Sequence, residues 1–215
     1  MVTTQEQAKL EQAAQLRRAG VPDVIARRLA EPLDQTEALR AADEWHAGTR
    51  STLLLAGGVG SGKTLAAAKT IAEHFDVLRP WLREKGDMPP TIRWRSAFFV
   101  SLEWLTDRSL FQEDDRLARM RALETSLLVL DDVGTERGDG EAALRDLLST
   151  RMAAGRRTVL TTNLSGAVFS ERYRERIMSR IRGEGVIVQC GRVDLRTAPK
   201  LVGADLAQPQ EREPA

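Results

Sequence analysis

The chain has 215 residues, of which 42% are hydrophobic and 29% charged, and its formal net charge is +1. This length suits one α/β domain with short extensions, and the near-neutral charge excludes a global basic field, so any nucleic-acid site must be local. The single cysteine, Cys190, excludes a disulfide framework and a Cys-rich metal site. Its apolar surroundings in 186–190 predict a small buried hydrophobe without chemistry.

Residues 1–46 are predicted to form a short helical extension. Apolar residues recur at helical spacing over 4–19 and 22–46, and Gly20 to Pro22 form a turn signal between the two segments. The N-terminal residues lack the order of a signal peptide, and no apolar run approaches the roughly 20 residues that span a bilayer. We therefore expect a cytoplasmic protein without a membrane partner, whose extension either packs on the next domain or serves as an interaction arm.

A phosphate-binding loop follows the first predicted strand. Apolar strand 52–56 leads into a glycine-rich turn with the pattern G-x-x-x-x-G-K-T and then into a predicted helix over 63–75. Backbone N–H groups of such a loop surround phosphate oxygens, Lys63 reaches the β- and γ-phosphates, and the Thr64 hydroxyl is a ligand of Mg²⁺. The residues predicted to bind the triphosphate are Gly57, Gly58, Val59, Gly60, Ser61, Gly62, Lys63, Thr64 and Leu65.

The rest of the chain alternates between strand and helix patterns. Further strands are predicted at 97–101, 126–131, 157–162 and 185–190. Further helices are predicted at 102–110, 113–123, 140–153 and 167–182. Alternation with continuously apolar strands predicts an α/β fold of the P-loop NTPase class, with a parallel sheet between two helical layers. This core covers 47–198, and the apolar-poor tail over 199–215 is predicted to be disordered.

Two predicted strand ends carry candidate catalytic groups. Asp131 and Asp132 follow the apolar run 127–130, about 70 residues after the phosphate loop. At that position the first carboxylate orders magnesium and the second polarises the attacking water, although acidic residues also commonly end strands. Asn163 closes the strand 157–162, where its amide could bond the water or the γ-phosphate, or simply form a turn.

The predicted helix 167–182 carries several arginines. Arg176 and Arg180 are four residues apart and share one helical face. They could belong to a solvated, ion-paired surface, or they could present a guanidinium to the γ-phosphate of a neighbouring subunit. Spacing alone does not separate these alternatives.

Together these segments resemble the DnaC/DnaI-type helicase loaders and their IstB-like relatives among the AAA+ ATPases, over about 45–198. The matching segments are Leu127 to Gly134, Thr161 to Leu164 and Glu175 to Arg180. The resemblance implies an ATPase that uses ATP and Mg²⁺, with Arg180 as the arginine finger and Arg176 in a nucleotide-sensing or interface role. It also implies a homo-oligomer that shares ATP sites and delivers a replicative ring helicase to single-stranded DNA.

Two departures from the AAA+ pattern affect the expected activity. Asp132 stands where most AAA+ enzymes have a glutamate, so hydrolysis is expected to be slow or to need DNA or a partner. Only 25 residues follow the last predicted strand, which leaves no room for a helical lid. A neighbouring subunit would then close the nucleotide site, or the site would stay open.

Three regions could meet DNA, one of which is the N-terminal helical extension, although its near-neutral charge favours a protein contact over DNA. Residues 79–95 interleave basic residues with Trp81 and Trp94, a mixture that suits single strands, although each tryptophan could equally anchor a loop. Residues 141–182 contain nine arginines against four acidic residues. Two other functions stay open: an IstB-like transposition helper that binds duplex DNA, and a nucleotide-binding adaptor that does not hydrolyse ATP.

Overall fold

The computed structural model describes residues 4–84, 96–106, 113–136, 138 and 140–191. The helices are α1 (Thr4–Arg18), α2 (Asp23–Arg28), α3 (Glu37–Ala47), α4 (Lys63–Glu84), α5 (Leu102–Thr106), α6 (Glu113–Glu124), α7 (Gly140–Ala153) and α8 (Gly166–Glu184). The strands are β1 (Thr52–Ala56), β2 (Ala97–Ser101), β3 (Leu127–Asp131), β4 (Arg157–Thr162) and β5 (Gly185–Gln189). All five strands predicted from the sequence are present.

The strands form one parallel sheet in the order β2–β3–β4–β1–β5. Successive strand side chains point to opposite faces. Leu53 and Leu55 therefore join a core with α1 to α4, whereas Leu54 joins a second core with α5 to α8. The predicted three-layer α/β architecture is confirmed.

The N-terminal helices pack on this sheet. Leu16 of α1, Ala26 of α2 and Trp45 of α3 are all buried in the first core. The turn after α1 approaches β2 so closely that a Cβ at Gly20 would lie 2.4 Å from the Phe99 carbonyl oxygen, and the Phe99 N–H donates to the Ala19 carbonyl at 2.7 Å. Packing on the next domain, one of the two expected arrangements, is therefore the one observed.

Two predicted helix boundaries are wrong. The single helix over 22–46 is two helices, because Pro32 supplies no backbone N–H and Thr36 begins a new helix by accepting a hydrogen bond from the Leu39 N–H at 3.1 Å. The helix over 63–75 continues to Glu84, since its helical pattern extends further than its first apolar stripe. The predicted helix 102–110 is observed as α5, and 107–110 lie outside the described residues.

A fully buried arginine joins the elements at the amino-terminal edge of the sheet. Arg151 of α7 donates to the carbonyls of Ala122 at 2.7 Å and Thr125 at 2.8 Å, and so satisfies the end of α6. It also donates to the Thr158 hydroxyl at 2.9 Å and the Arg157 carbonyl at 2.6 Å. Burial, with the nearby charge of Arg156, lowers the pKa of Arg151 to about 9.

Candidate nucleotide-binding site

The phosphate loop joins β1 to α4 in a conformation that favours glycine. Gly57, Gly60 and Gly62 have φ angles of 149°, 80° and 84°. A Cβ at Gly57 would also lie 2.6 Å from the carbonyl oxygen of Cys190, a cysteine that is buried as predicted. Gly58 is exposed, and a Cβ there would meet no atom within 4 Å, so its side of the loop faces open space.

Lys63 lies inside this loop. The side chain is only 5% exposed, and its Nζ donates to the Gly58 carbonyl at 2.6 Å and to the Ser61 hydroxyl at 3.1 Å. The Ser61 hydroxyl in turn donates to the same carbonyl at 2.9 Å. The loop thus holds a buried ammonium group next to the backbone of Gly58. The loop and the N-terminus of α4 add partial positive charge, which is the arrangement that the sequence pattern predicts for phosphate binding.

The first carboxylate at the end of β3 lies beside this cation. Burial raises the pKa of Asp131 above its usual value, and the charge of Asp132 raises it further. Hydrogen bonds from the hydroxyls of Thr161 and Thr64 and the charge of Lys63 oppose this rise, and the Thr161 Oγ1 to Asp131 Oδ1 distance is 2.6 Å. The structure therefore brings together Thr64 and Asp131, the two predicted magnesium ligands. A divalent cation would favour the ionised carboxylate that burial disfavours.

Asp132 and Asn163 meet at the ends of β3 and β4. The Asn163 Nδ2 donates to the Asp132 Oδ1 at 3.0 Å, and the Asp132 N–H donates to the Thr161 hydroxyl at 3.0 Å. Asp132 has a φ of 53°, which is uncommon for a residue other than glycine. The second predicted carboxylate and the predicted sensor amide are therefore direct partners, although nothing in the sequence pattern requires this bond.

A buried glutamate that the sequence analysis missed supports the turn after β3. Glu136 is 4% exposed, and its Oε2 accepts a hydrogen bond from the Gly134 N–H at 2.7 Å. Its Oε1 accepts bonds from the Tyr173 hydroxyl and from the Arg172 Nη2, the latter at 3.3 Å. Glutamate in a polar turn is normally exposed, so only the position five residues after Asp131 could have drawn attention to it.

The arginines of α8 are not assembled with their own phosphate loop. Helix α8 begins after the carboxyl end of β4 and ends where Gly185 pairs with Thr52, at the opposite edge of the sheet. Arg180 lies near the end of α8, and its guanidinium donates to the Ser149 hydroxyl of α7. Arg176 is exposed and makes no ion pair with any described residue. An action on phosphate would require a second subunit.

Helix α8 is broken at Arg174. This residue has φ 56° and ψ 171°, so two helical segments meet there. Tyr173 lies before the break, Ile177, Met178 and Ile181 lie after it, and all four are buried in the second core. Arg176 and Arg180 therefore lie on the helical segment that follows the break.

The arginine excess over 141–182 does not form a basic surface of the expected size. Arg151 is buried, Arg156 donates to the Leu123 carbonyl, and Arg157 stacks on Trp45 with its guanidinium carbon 3.8 Å from the ring centroid. Arg145 pairs with Asp146 at 3.2 Å. The exposed remainder is concentrated on α8. Of the other predicted DNA region, residues 85–95 and the side chains of 79–84 lie outside the described part of the chain.

No group of three or more His, Cys, Asp or Glu residues with metal-binding arrangement occurs in the described ranges. Magnesium would therefore depend on Thr64, Asp131 and phosphate oxygens of the nucleotide, which suits an ion that keeps several waters. Within the same ranges, no helix is long and apolar enough to cross a bilayer.

Comparison with solved structures identifies the fold. The crystal structure of DnaI matches with a TM-score of 0.58 and 20% identity, covering 84% of this chain and 100% of that chain. The DnaC helicase loader matches with a TM-score of 0.51 and 20% identity, covering 75% and 93%. AMPPCP-bound DnaA from Aquifex aeolicus matches with a TM-score of 0.51 and 17% identity, covering 75% and 48%.

At these identities the shared property is the fold. The chain therefore has the α/β fold of AAA+ domains, as its resemblance to the helicase loaders predicted. No protein-family model matches the chain, and no curated protein matches its sequence.

Proposed function

We propose that this protein is an ATP-binding and ATP-hydrolysing DNA replication protein of the DnaC/DnaI loader type. The observation that carries the proposal is the placement of Lys63, Thr64, Asp131, Asp132 and Asn163 at one edge of a sheet with the loader fold. The similarity to AMPPCP-bound DnaA supports a nucleoside triphosphate, because AMPPCP is an analogue of ATP.

In this proposal the loop binds the phosphates, and the end of β3 helps to bind the magnesium ion. Lys63 would exchange its bond to the Gly58 carbonyl for phosphate oxygens, and the backbone of Gly60 and Gly62 would surround them. Thr64 and Asp131 would hold Mg²⁺, which supplies charge neutralisation at the phosphates when bound. The raised pKa of Asp131 supports this role, since a cation at that position would relieve the cost of the buried carboxylate.

Hydrolysis would depend on Asp132 and Asn163. The carboxylate of Asp132 would accept a proton from the attacking water, and Asn163 would hold that carboxylate in place through their 3.0 Å hydrogen bond. Aspartate is one methylene shorter than the glutamate of most AAA+ enzymes, and its Oδ1 is already engaged by Asn163. We therefore propose slow turnover that rises on assembly with DNA or a protein partner.

The arginine of the neighbouring subunit completes the proposed site. Arg180 and Arg176 lie on the segment of α8 beyond its break, away from their own loop. In a homo-oligomer this segment could face the phosphates of the next subunit, where a guanidinium neutralises developing charge. Arg180 would first have to leave the Ser149 hydroxyl.

The proposed partners are a replicative ring helicase and single-stranded DNA. The fold shared with the DnaC helicase loader and with DnaI supports the helicase. Exposed arginines on α8 and the Trp81 and Trp94 region support single-stranded DNA. In this proposal residues 1–46 are the extension, 47–198 the ATPase core and 199–215 a tail.

A pull-down with the cognate replicative helicase tests the proposal. The wild-type protein should retain the helicase in the presence of ATP and Mg²⁺ and should bind single-stranded DNA in preference to duplex. Lys63→Ala should lose the nucleotide dependence. A preference for duplex DNA without helicase capture would support the IstB-like function instead. ATP binding without turnover, even with single-stranded DNA present, would support the adaptor.

A further inference from the structure

The buried side chain of Glu136 connects the turn that carries Asp132 to helix α8. Its two oxygens serve different elements: Oε2 bonds to the Gly134 N–H at 2.7 Å, and Oε1 bonds to Tyr173 and Arg172. The Glu136 carbonyl accepts a further bond from the Arg172 Nη2 at 2.7 Å. A carboxylate with this many charge-assisted partners is held in one orientation.

The local packing is built around this carboxylate. A Cβ at Gly140 would lie 1.9 Å from the Glu136 Cγ, so only glycine at the start of α7 leaves room for the side chain. Gly134 has a φ of 112°, and a Cβ there would lie 2.7 Å from the Leu164 Cδ1. Gly140 and Gly134 therefore leave the space that the side chains of Glu136 and Leu164 occupy beside the turn.

The bond to Gly134 acts on Asp132 because both residues belong to one turn. Asp132 has a positive φ, its N–H is held by Thr161 and its carboxylate by Asn163. Those contacts hold Asp132 from the side of β4. Glu136 holds the other end of the turn, two residues further along, from the side of α8.

The same carboxylate acts on α8 immediately before its break. Arg172 and Tyr173 bond to Glu136, and the unusual backbone conformation occurs at the next residue, Arg174. Such a conformation persists only when neighbouring contacts over-determine it. Glu136 holds the segment before the break, and the buried Ile177 and Met178 hold the segment after it.

We infer that Glu136 is a positioning residue that couples the placement of Asp132 to the orientation of the arginine-bearing segment of α8. The inference rests on the proposed function, since it links the carboxylate of one ATP site to the arginines offered to the next. A subunit whose turn is displaced would then also misdirect Arg176 and Arg180.

Tyr173→Phe tests the coupling with little change in shape. It removes the hydroxyl donor but keeps a ring that packs on Phe169, whose centroid is 4.6 Å away. Glu136→Gln is the second variant, because a carboxamide has one accepting oxygen and cannot serve both partners. Arg182→Gln is the matched control: it removes the exposed Arg182–Glu175 ion pair at 2.8 Å on the same helix.

Amide hydrogen exchange of 132–136 is the first measurement, in the full chain without nucleotide. Tyr173→Phe and Glu136→Gln should exchange about tenfold faster over this segment, the effect of losing one charge-assisted hydrogen bond. The control should match the wild type. Unchanged exchange in Tyr173→Phe would overturn the coupling, because that hydroxyl lies on α8 and not on the turn.

Turnover in the assembled state is the second measurement. Tyr173→Phe should lower kcat about tenfold and leave the Kd for ATP with Mg²⁺ within about twofold, as expected when only transition-state placement is lost. A Tyr173→Phe protein that binds ATP more weakly, turns over more slowly and also melts at a lower temperature would indicate a merely structural contact and overturn the inference. A wild-type protein without turnover would overturn the proposed function instead, and the exchange comparison would still decide the coupling.

Discussion

Buried charged groups lie at both the amino edge of the sheet, where the strands begin, and the carboxyl edge, where they end, but their surroundings differ. At the amino edge, Arg151 is fully buried, and its guanidinium is satisfied by backbone carbonyls and a hydroxyl. At the carboxyl edge, Lys63, Asp131 and Asp132 lie within one cluster that is open on the side of Gly58. The hydrogen bonds of the Arg151 guanidinium stabilise the first edge, whereas the second keeps charges that a ligand can use.

The backbone conformations at the two edges of the sheet also differ. Positive φ angles occur at Gly57, Gly60, Gly62, Asp132 and Gly134, all near the carboxyl edge. Such conformations concentrate at functional sites, where surrounding contacts maintain them. At the amino edge, Gly155 has a φ of 63°, which glycine adopts readily, while Arg157 stacks on Trp45 and Arg151 satisfies the end of α6. We therefore expect substitutions at the amino edge to change stability and substitutions at the carboxyl edge to change ligand binding.

Arg151→Met should give the largest change in stability and no change in nucleotide affinity. It leaves the buried carbonyls of Ala122, Thr125 and Arg157 without their donor, for an expected loss of about 3 kcal/mol or more. Urea unfolding measures this loss. Arg151→Lys, which keeps a donor, should lose less, and Arg145→Gln on the same helix should change stability by less than about 0.5 kcal/mol.

If Arg151→Met unfolded no more easily than Arg145→Gln, the amino edge would not depend on the buried guanidinium. A weaker affinity for ATP in a folded Arg151→Lys protein would also contradict the separation of the two edges.

Lys63→Ala should have the converse effect. Removing one charged partner of the phosphates should weaken binding of ATP with Mg²⁺ about a hundredfold. Stability should change by less than about 1 kcal/mol. Titration of a fluorescent ATP analogue, followed by thermal unfolding of the same samples, checks both expectations. Undiminished affinity would show that the phosphate loop does not bind the nucleotide as proposed.

Asp131→Asn should give the smallest change in stability, and its sign depends on pH. Burial raises the pKa of Asp131, so the ionised form lowers the stability of the ligand-free protein as pH rises through that pKa. The variant should therefore be more stable than the wild type at neutral pH, and the difference should vanish below about pH 4. Stabilisation by Mg²⁺ and ATP should be lost. A variant less stable at neutral pH would contradict the cost of this buried carboxylate.

Local patterns were sufficient to predict the fold and the glycine-rich loop. Continuous apolar strands predicted the parallel sheet, and the glycine pattern before Lys63 predicted the loop, because both features depend on neighbours in the chain. Glu136 and Arg151 could not be predicted, since their burial depends on carbonyls and hydroxyls contributed by distant elements. The Asp132–Asn163 bond likewise depends on the register of β3 against β4.

The dependence of ATP turnover per subunit on protein concentration tests the shared site most directly. Wild-type turnover should rise as subunits assemble, and Arg180→Ala should bind ATP with unchanged affinity but lose this rise. Arg182→Gln, on the same helix, should behave as the wild type does. Full turnover by a monomer, without any effect of Arg180→Ala, would contradict the account.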